Sequence, residues 1–285
     1  MREMWGSPSR WNERKTYTDV ARKLGVDEET VRNRLRHLKE SGYLLGWRVV
    51  PNPALFGRES KLVLLEYPDQ DSKEEGIGRI SEMDGVIIIA NLYGNSVMVT
   101  LFDDTGRLSS KLVADANPGA KVTGLASMRF PKSSFKMTVT DWQIVGMMLR
   151  DAERRVTDVA RNARVSTRTV KRRLDQMMDS SAIYVMPLVD QTKSGGIAYH
   201  LMVERVQGKT PDLEPLVSAK IGGPIFTAAH AENGMIFGFF GRNVAQGTEL
   251  LKWLKAQSGV KSAKLSIVEE VRYAFDWLEK ETRRL

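Results

Sequence analysis

Val20, Ala21 and Leu24 lie at helical spacing, Gly25 follows, Asp27 stands where a helix cap belongs, and Val31, Leu35 and Leu38 form a second apolar stripe. The pattern predicts two short helices joined by a tight turn. The same order returns later in the chain, with Ser166 as the cap and Val170, Leu174 and Met177 as the stripe. After each pair of helices the apolar period shortens to that of strands. Leu62–Leu65 and Leu201–Val203 read as first strands, and a helical stretch follows each. Two apolar runs then flank a Gly/Asn turn, Tyr93–Ser96 in the first half and Glu232–Met235 in the second, which predicts hairpins. Val86–Ile89 and Val97–Phe102 build the first hairpin, Ile225–Ala228 and Ile236–Phe240 the second. A further helix, at about 105–116 and about 244–257, and a last strand, at about 120–130 and about 261–270, complete each half.

At an offset of 139 positions, residues 18–44 lie on 157–183 without a gap, and 11 of the 27 pairs are identical, among them Arg22/Arg161, Val31/Val170, Arg34/Arg173 and Ser41/Ser180. Unrelated segments agree at about one position in fifteen, so the sequence reads as an internal duplication. The expected fold is α+β: winged helix-turn-helix domains at 1–53 and 138–190, each followed by an antiparallel ferredoxin-like βαββαβ domain, at 58–131 and 196–285. The last of these ends in an amphipathic helix from Val271 onward, with Phe275 and Leu278 to bury. The copies are expected to differ locally. Met1 to Lys15 holds Gly6 and Pro8 and makes a poor leading helix, whereas Val139 to Leu149 supplies Trp142, Ile144, Val145 and Met148. Arg164 replaces Gly25 and Ser181 replaces Gly42, so the second turn and wing are expected to deviate.

Charge sharpens this picture. The 285 residues carry a net +8, with a local +6 between Arg150 and Arg173 and +4 between Arg10 and Arg48, inside the two helical pairs. Basic excess of this kind fits a polyanionic partner. At about 100° per residue from Val31, the opposite face carries Glu29, Asn33 and Arg36, with Arg32 and Arg34 on the flanks. The equivalents in the second copy are Arg168, Arg172 and Asp175, flanked by Lys171 and Arg173, with Thr167 at the helix start. A helix that buries one face and offers Arg, Asn and Glu on the other suits the major groove, where these side chains read guanine, adenine and cytosine. These eleven residues are the candidate DNA contacts. Arg172 is expected to read a base, and Arg173 and the threonine hydroxyls to hold phosphates. The wing segments Gly42–Pro51 and Ala182–Pro187 are expected to lie along the DNA backbone.

Other chemistry finds little support. There is no cysteine, hence no disulfide or thiolate metal site, and His37, His200 and His230 are far apart, so no metal or cofactor is expected. No run approaches 18 apolar residues and no signal-peptide core precedes the first helix, so a cytoplasmic protein without membrane contact is expected. The chain lacks GxxxxGK[ST], HExxH and GxSxG, and the expectation is that it is not an enzyme.

Asp19–Val26, Thr30–Leu38 and Ser41–Trp47, followed by Asn52-Pro53 and Phe56-Gly57, resemble the helix-turn-helix and exit strand of the Lrp/AsnC (leucine-responsive, feast/famine) family of transcription regulators, here in tandem form. The resemblance implies sheet domains of the RAM type that dimerise, DNA-binding heads and, in many members, an amino-acid effector. In one duplicated chain it implies an intramolecular pseudo-dimer that assembles further into homo-oligomers. It also places a candidate effector site at the hairpin turns, Gly94 and Asn95 in one half, Asn233 and Gly234 in the other. The family's acidic residue after the glycine is replaced by Asn95 and Met235, a departure that bears on amino-acid sensing. The resulting expectation is a sequence-specific regulator that binds double-stranded DNA with two unlike heads. Half-sites about one helical turn (~10 bp) or a multiple apart are expected to differ from each other. Two rivals use the same features: an architectural DNA binder, and an enzyme resembling the siroheme decarboxylases, which share this architecture. The latter are expected to carry a Tyr/Arg/His-rich stretch running into Tyr-Asn-Leu-Trp, whereas Ile89–Ser96 and Ala229–Gly234 contain no arginine.

Overall fold

In the computed structural model the chain is described at residues 18, 20–22, 24–104, 109–128, 130–206, 213–221 and 225–285; the weak leading segment Met1 to Lys15 lies outside them. After helical residues at 18, 20–22 and 24, the first half runs α1 (Glu28–Glu40), β1 (Leu44–Pro51), β2 (Arg58–Glu66), α2 (Gln70–Ser81), β3 (Val86–Leu92), β4 (Ser96–Asp104), α3 (Ser109–Ala116) and β5 (Lys121–Met128). The second half runs α4 (Val139–Met148), α5 (Val156–Asn162), α6 (Thr167–Asp179), β6 (Ile183–Val189), β7 (Ile197–Arg205), α7 (Leu213–Ile221), β8 (Ile225–Ala231), β9 (Gly234–Gly241), α8 (Val244–Lys255), β10 (Val260–Tyr273) and α9 (Asp276–Thr282). Val271 is therefore in a strand, and the C-terminal helix starts five residues later than expected because β10 extends to Tyr273. Among the described residues no helix is long and apolar enough to cross a membrane.

Two compact units result. One gathers the described residues up to Phe56 with Pro131–Asp190 and Leu278–Leu285; the other holds Gly57–Phe130 and Gln191–Trp277. The first contains both helix-turn-helix segments. Asp27 and Ser166 cap α1 and α6 as their spacing predicts, accepting from the backbone N–H of Thr30 at 2.6 Å and of Thr169 at 3.0 Å. In α6 the whole stripe of Val170, Leu174 and Met177 is buried. In α1 only Val31 is buried, and Leu24 before it is 56% exposed.

The two wing segments meet each other. β1 and β6 pair as a two-stranded antiparallel ribbon, with Trp47 opposite Pro187 and Arg48 opposite Met186, so each occupies one backbone edge of the other. Asn52, fully buried at the end of β1, stitches the ribbon to the second segment. Its Nδ2 donates to the carbonyls of Pro131 (2.9 Å) and Ser181 (2.8 Å), and its Oδ1 accepts from Ala54 N (3.0 Å). The second turn and wing fail to deviate. Arg164 and Ser181 take φ values of +54° and +59°, close to the +65° and +71° of Gly25 and Gly42, because the surrounding helices dictate the left-handed turn whichever residue stands there.

The second unit is a closed barrel of strand order β10-β3-β4-β2-β5-β8-β9-β7. Within it, β3-β4-β2-β5 and β8-β9-β7-β10 each have the order of a ferredoxin-like βαββαβ sheet. They join where β5 meets β8, at Ser127 opposite His230, and where β10 meets β3, from Val268 opposite Leu92 to Tyr273 opposite Ile88. Closure pairs the edge strands of the two half-sheets with each other. One apolar cluster draws on both halves, Leu62, Leu64, Leu92 and Met98 packing with Ala198, Ala229, Ile236 and Val268. Another packs Val63, Leu65, Ile89 and Val99 against Ile77 and Ile80 of α2. His200 is buried on β7 opposite Ser266, and burial pushes its imidazole pKa down to about 3, so it is neutral at physiological pH.

Candidate nucleic-acid interface

α6 carries an exposed concave face. Thr167, Arg168, Lys171, Arg172, Asp175, Gln176 and Asp179 line an open surface of about 550 Å³. Three bases and two carboxylates lie on one side of a helix whose other side is buried, so the helix can approach a polyanion without unfolding. Five of these seven positions follow from the helical spacing, but Gln176 and Asp179 were not among the expected contacts. The signal for Gln176 was present: it lies four residues after Arg172 and three after Arg173 and shares their side of the helix.

Arg173 departs from its expected role as a phosphate contact. Its side chain is only 18% exposed and pairs with Asp141, whose side chain is fully buried at the start of α4. Nε donates to Oδ1 at 2.5 Å, and Nη2 donates to Oδ2. Asp141 is also the third residue of a capping box: Oδ2 accepts from Thr138 N (2.8 Å) and Oγ1 (2.7 Å), and its own N–H donates to Thr138 Oγ1. Burial alone would raise the carboxyl pKa, but the Arg173 and Thr138 hydrogen bonds outweigh it and hold Asp141 below the usual carboxylate range. The guanidinium also lies 5.3 Å from the centroid of the Phe135 ring. An arginine fixed in this way has little charge left to offer a phosphate.

The face of α1 is built differently. Glu29, Asn33, Arg34 and Arg36 are exposed, but Arg32 turns back to Glu28, with Nη2 2.5 Å from Oε1. Lys39, which was not among the expected contacts, pairs with Glu153 at 2.7 Å. The two faces are therefore unlike in charge as well as in sequence.

The candidate effector residues sit in two hairpin turns. Gly94, at φ +82°, directs its carbonyl oxygen to Lys73 Nζ and to Gln70 Nε2 (3.0 Å). Asn95 accepts from Gln70 at 3.2 Å and donates to the Pro68 carbonyl at 3.3 Å. Lys73 is 1% exposed; its ammonium also reaches the Leu92 carbonyl (2.7 Å) and Glu269 (3.5 Å). In the second hairpin, the Asn233 carbonyl accepts from Arg205 N at 2.7 Å, and a Cβ on Gly234 would fall 2.3 Å from the Val203 carbonyl oxygen. Both turns thus serve the barrel's own hydrogen bonding. Among the described residues no group of three or more His, Asp or Glu could hold a metal ion.

Comparison with known proteins bears on both units. A family model described as winged helix-turn-helix DNA-binding matches residues 10–44. The HTH-type transcriptional regulator Ptr1 of Methanocaldococcus jannaschii is 30% identical over 115 residues, covering 40% of this chain and 78% of that protein. Siroheme decarboxylase NirDL, solved alone and with an iron-uroporphyrin III analogue, aligns with TM-scores of 0.58 and 0.57 at 15% identity, over 94% of this chain and 91% and 92% of that one. AsnC of E. coli covers 48% of this chain at 15% identity, with a TM-score of 0.38. The likeness to NirDL corrects the expectation that the chain is not an enzyme. An enzyme is built on this fold over nearly the whole length, so missing hydrolase and nucleotide-binding motifs do not exclude catalysis.

Proposed function

Because the chain belongs to the Lrp/AsnC family of helix-turn-helix DNA-binding regulators, we propose that it reads an asymmetric, two-part duplex site with two unlike heads in one polypeptide. The observation that carries this reading is the exposed basic face of α6, where Arg168, Lys171 and Arg172 stand together, set against α1, where Glu29 replaces Arg168 and Arg36 replaces Asp175. A base in place of an acid, and the reverse, gives the heads different preferences in the major groove. The gapless 11 identities in 27 and the matching strand order of the two barrel halves support a tandem duplication, in which the barrel is the chain's internal pseudo-dimer. A small-molecule effector acting at the Gly94 turn would have to displace Lys73 and Gln70 from the Gly94 carbonyl.

The test is selection of bound duplexes from a random pool at about physiological salt. Enrichment of two unlike half-sites ~10 bp or a multiple apart is expected. A perfect palindrome as the best site would overturn the reading, and salt-sensitive retention without any motif would replace it with an architectural role.

A second reading is favoured by one observation, the match to siroheme decarboxylase NirDL over 94% of the chain: an enzyme of that reaction class acting on a tetrapyrrole carboxylate. Its weakness lies in the hairpins, since Ile89–Ser96 and Ala229–Gly234 offer no arginine to the substrate carboxylates. Incubation with siroheme, followed by mass spectrometry for loss of carbon dioxide, tests it directly.

A further inference from the structure

We propose that Arg173 is a positioning residue for base reading, which acts through Gln176 on Arg172, and that Gln176 is itself a reading group. The inference rests on the DNA-binding reading of α6 and refines it. Nε and Nη2 of Arg173 are held by a buried carboxylate, so the guanidinium is fixed relative to α4. Its remaining nitrogen, Nη1, donates to Gln176 Oε1 at 3.2 Å. The same oxygen accepts from Nη1 of exposed Arg172 at 3.3 Å. One amide oxygen therefore couples a fixed arginine to a presented one.

This arrangement dictates what the face offers a base. With Oε1 engaged twice, Gln176 has only its amide NH₂ to present, and Arg172 adds further N–H donors. A face of donors matches the two acceptors of guanine, O6 and N7. A glutamine whose oxygen is released pairs instead with adenine, through one donor and one acceptor. Arg173 thus favours guanine over adenine without touching the duplex. Arg34, its counterpart in the first copy, is exposed on α1, and His37 stands at the Gln176 position, so the device belongs to the second head.

The test compares the full-length protein with R173A, R173K, R172A and R172A/R173A on the duplexes selected from the random pool, across a salt series. In R173A the guanine-over-adenine ratio at one base pair is expected to fall about tenfold. The slope of log affinity against log salt stays at its wild-type value. R173K behaves like R173A, because lysine keeps the charge but cannot hold Asp141 with a fork and Gln176 with a third nitrogen. In the R172A background, R173A causes no further loss of discrimination. R173K carries the test if R173A fails to fold, and thermal unfolding identifies that case. A slope reduced by about 0.9 with an unchanged base profile overturns the proposal and makes Arg173 a phosphate contact. An equal loss for all sequences with the slope unchanged also overturns it, leaving a purely structural residue. If the wild type binds without any sequence preference, the reading of α6 as a specificity element fails first and this inference falls with it.

Discussion

α1 and α6 have the same length, the same kind of cap and the same apolar spacing, yet they are held in different ways. α6 is fixed from beneath by a fully buried stripe and from the side by the Asp141–Arg173 pair, which leaves Arg168, Lys171 and Arg172 exposed as a group. α1 has Val31 as its only buried residue, and two of its bases are matched by carboxylates, Arg32 by Glu28 and Lys39 by Glu153. The two helices thus differ less in backbone than in what their charges are doing. The second is an oriented basic surface; the first is partly neutralised by its own neighbourhood. Charge reversal separates them most strongly. Changing Arg168, Lys171 and Arg172 together to Glu is expected to weaken duplex binding by on the order of 100-fold or more at physiological salt, against about tenfold for Arg34 and Arg36 together. Fluorescence anisotropy on one selected duplex measures both, and equal losses would break the comparison.

The next contrast concerns the matching positions Asn52 and Gln191, which follow the two ribbon strands at the 139-residue offset. The buried amide of Asn52 donates to the carbonyls of Pro131 and Ser181, whereas Gln191 Oε1 is buried without a hydrogen-bond partner. Asn52→Ala is expected to cost about 2 kcal/mol, since it removes two part-buried hydrogen bonds to backbone carbonyls, and Gln191→Ala less than about 1 kcal/mol. Chemical denaturation of the two variants gives the ratio. A similar cost for both would mean that the side-chain bonds of Asn52 do not hold the ribbon in place.

Acid is expected to distinguish the barrel from the helix-turn-helix unit. His200 has a folded pKa depressed from 6.5 to about 3, so the unfolded chain binds the proton first, and stability falls as pH drops below about 6.5. The slope approaches about 1.4 kcal/mol per pH unit, which makes the loss about 2 kcal/mol by pH 5. Asp141 has a lowered carboxyl pKa, so its contribution is present above the ordinary carboxylate value of 3.8 and is lost only below that. Between pH 7 and 5 the barrel should therefore weaken while the clamp on α6 persists. A His200→Leu variant should flatten this part of the stability profile; an unchanged profile would show that the imidazole is not the group responsible.

What could be read from the sequence is what depends on neighbours along the chain. Asp27 and Ser166 stand three residues before the N–H groups they cap, and Val170, Leu174 and Met177 repeat at helical spacing, so both helix-turn-helix segments were visible from their own sequence. The Gly94 and Asn233 turns were visible for the same reason. Pairings between distant segments were not. Nothing local to Trp47 or Arg48 announces Pro187 and Met186 as partners, and closure of the barrel through Val268 and Leu92 joins residues from opposite halves. The candidate site suffered most where partners are far apart. Arg173 reads as a surface base until Asp141, 32 positions earlier, is seen to bind it, and nothing local to Lys73 announces the Leu92 and Gly94 carbonyls that enclose it. Helical spacing tells which side a residue faces. It does not tell whether another segment has already engaged it.

The smallest expected effect tests how closely the two heads share a backbone. Arg164 and Ser181 hold φ values of +54° and +59° where the first helix-turn-helix segment has Gly25 and Gly42. A non-glycine residue in that region costs about 1–2 kcal/mol, and glycine returns part of the gain by loosening the unfolded chain. Arg164→Gly, at an exposed position, should therefore stabilise the protein by about 0.5–1 kcal/mol. Gly25→Ala should destabilise by a similar amount. A Cβ there meets no atom within 4 Å, so only the backbone conformation is at issue. Calorimetric unfolding of the two single variants provides the measurement. Opposite signs of comparable size are the mark of one turn geometry held by two different residues. A stabilising Gly25→Ala would mean that the first head does not need the left-handed turn that the second head retains despite its cost.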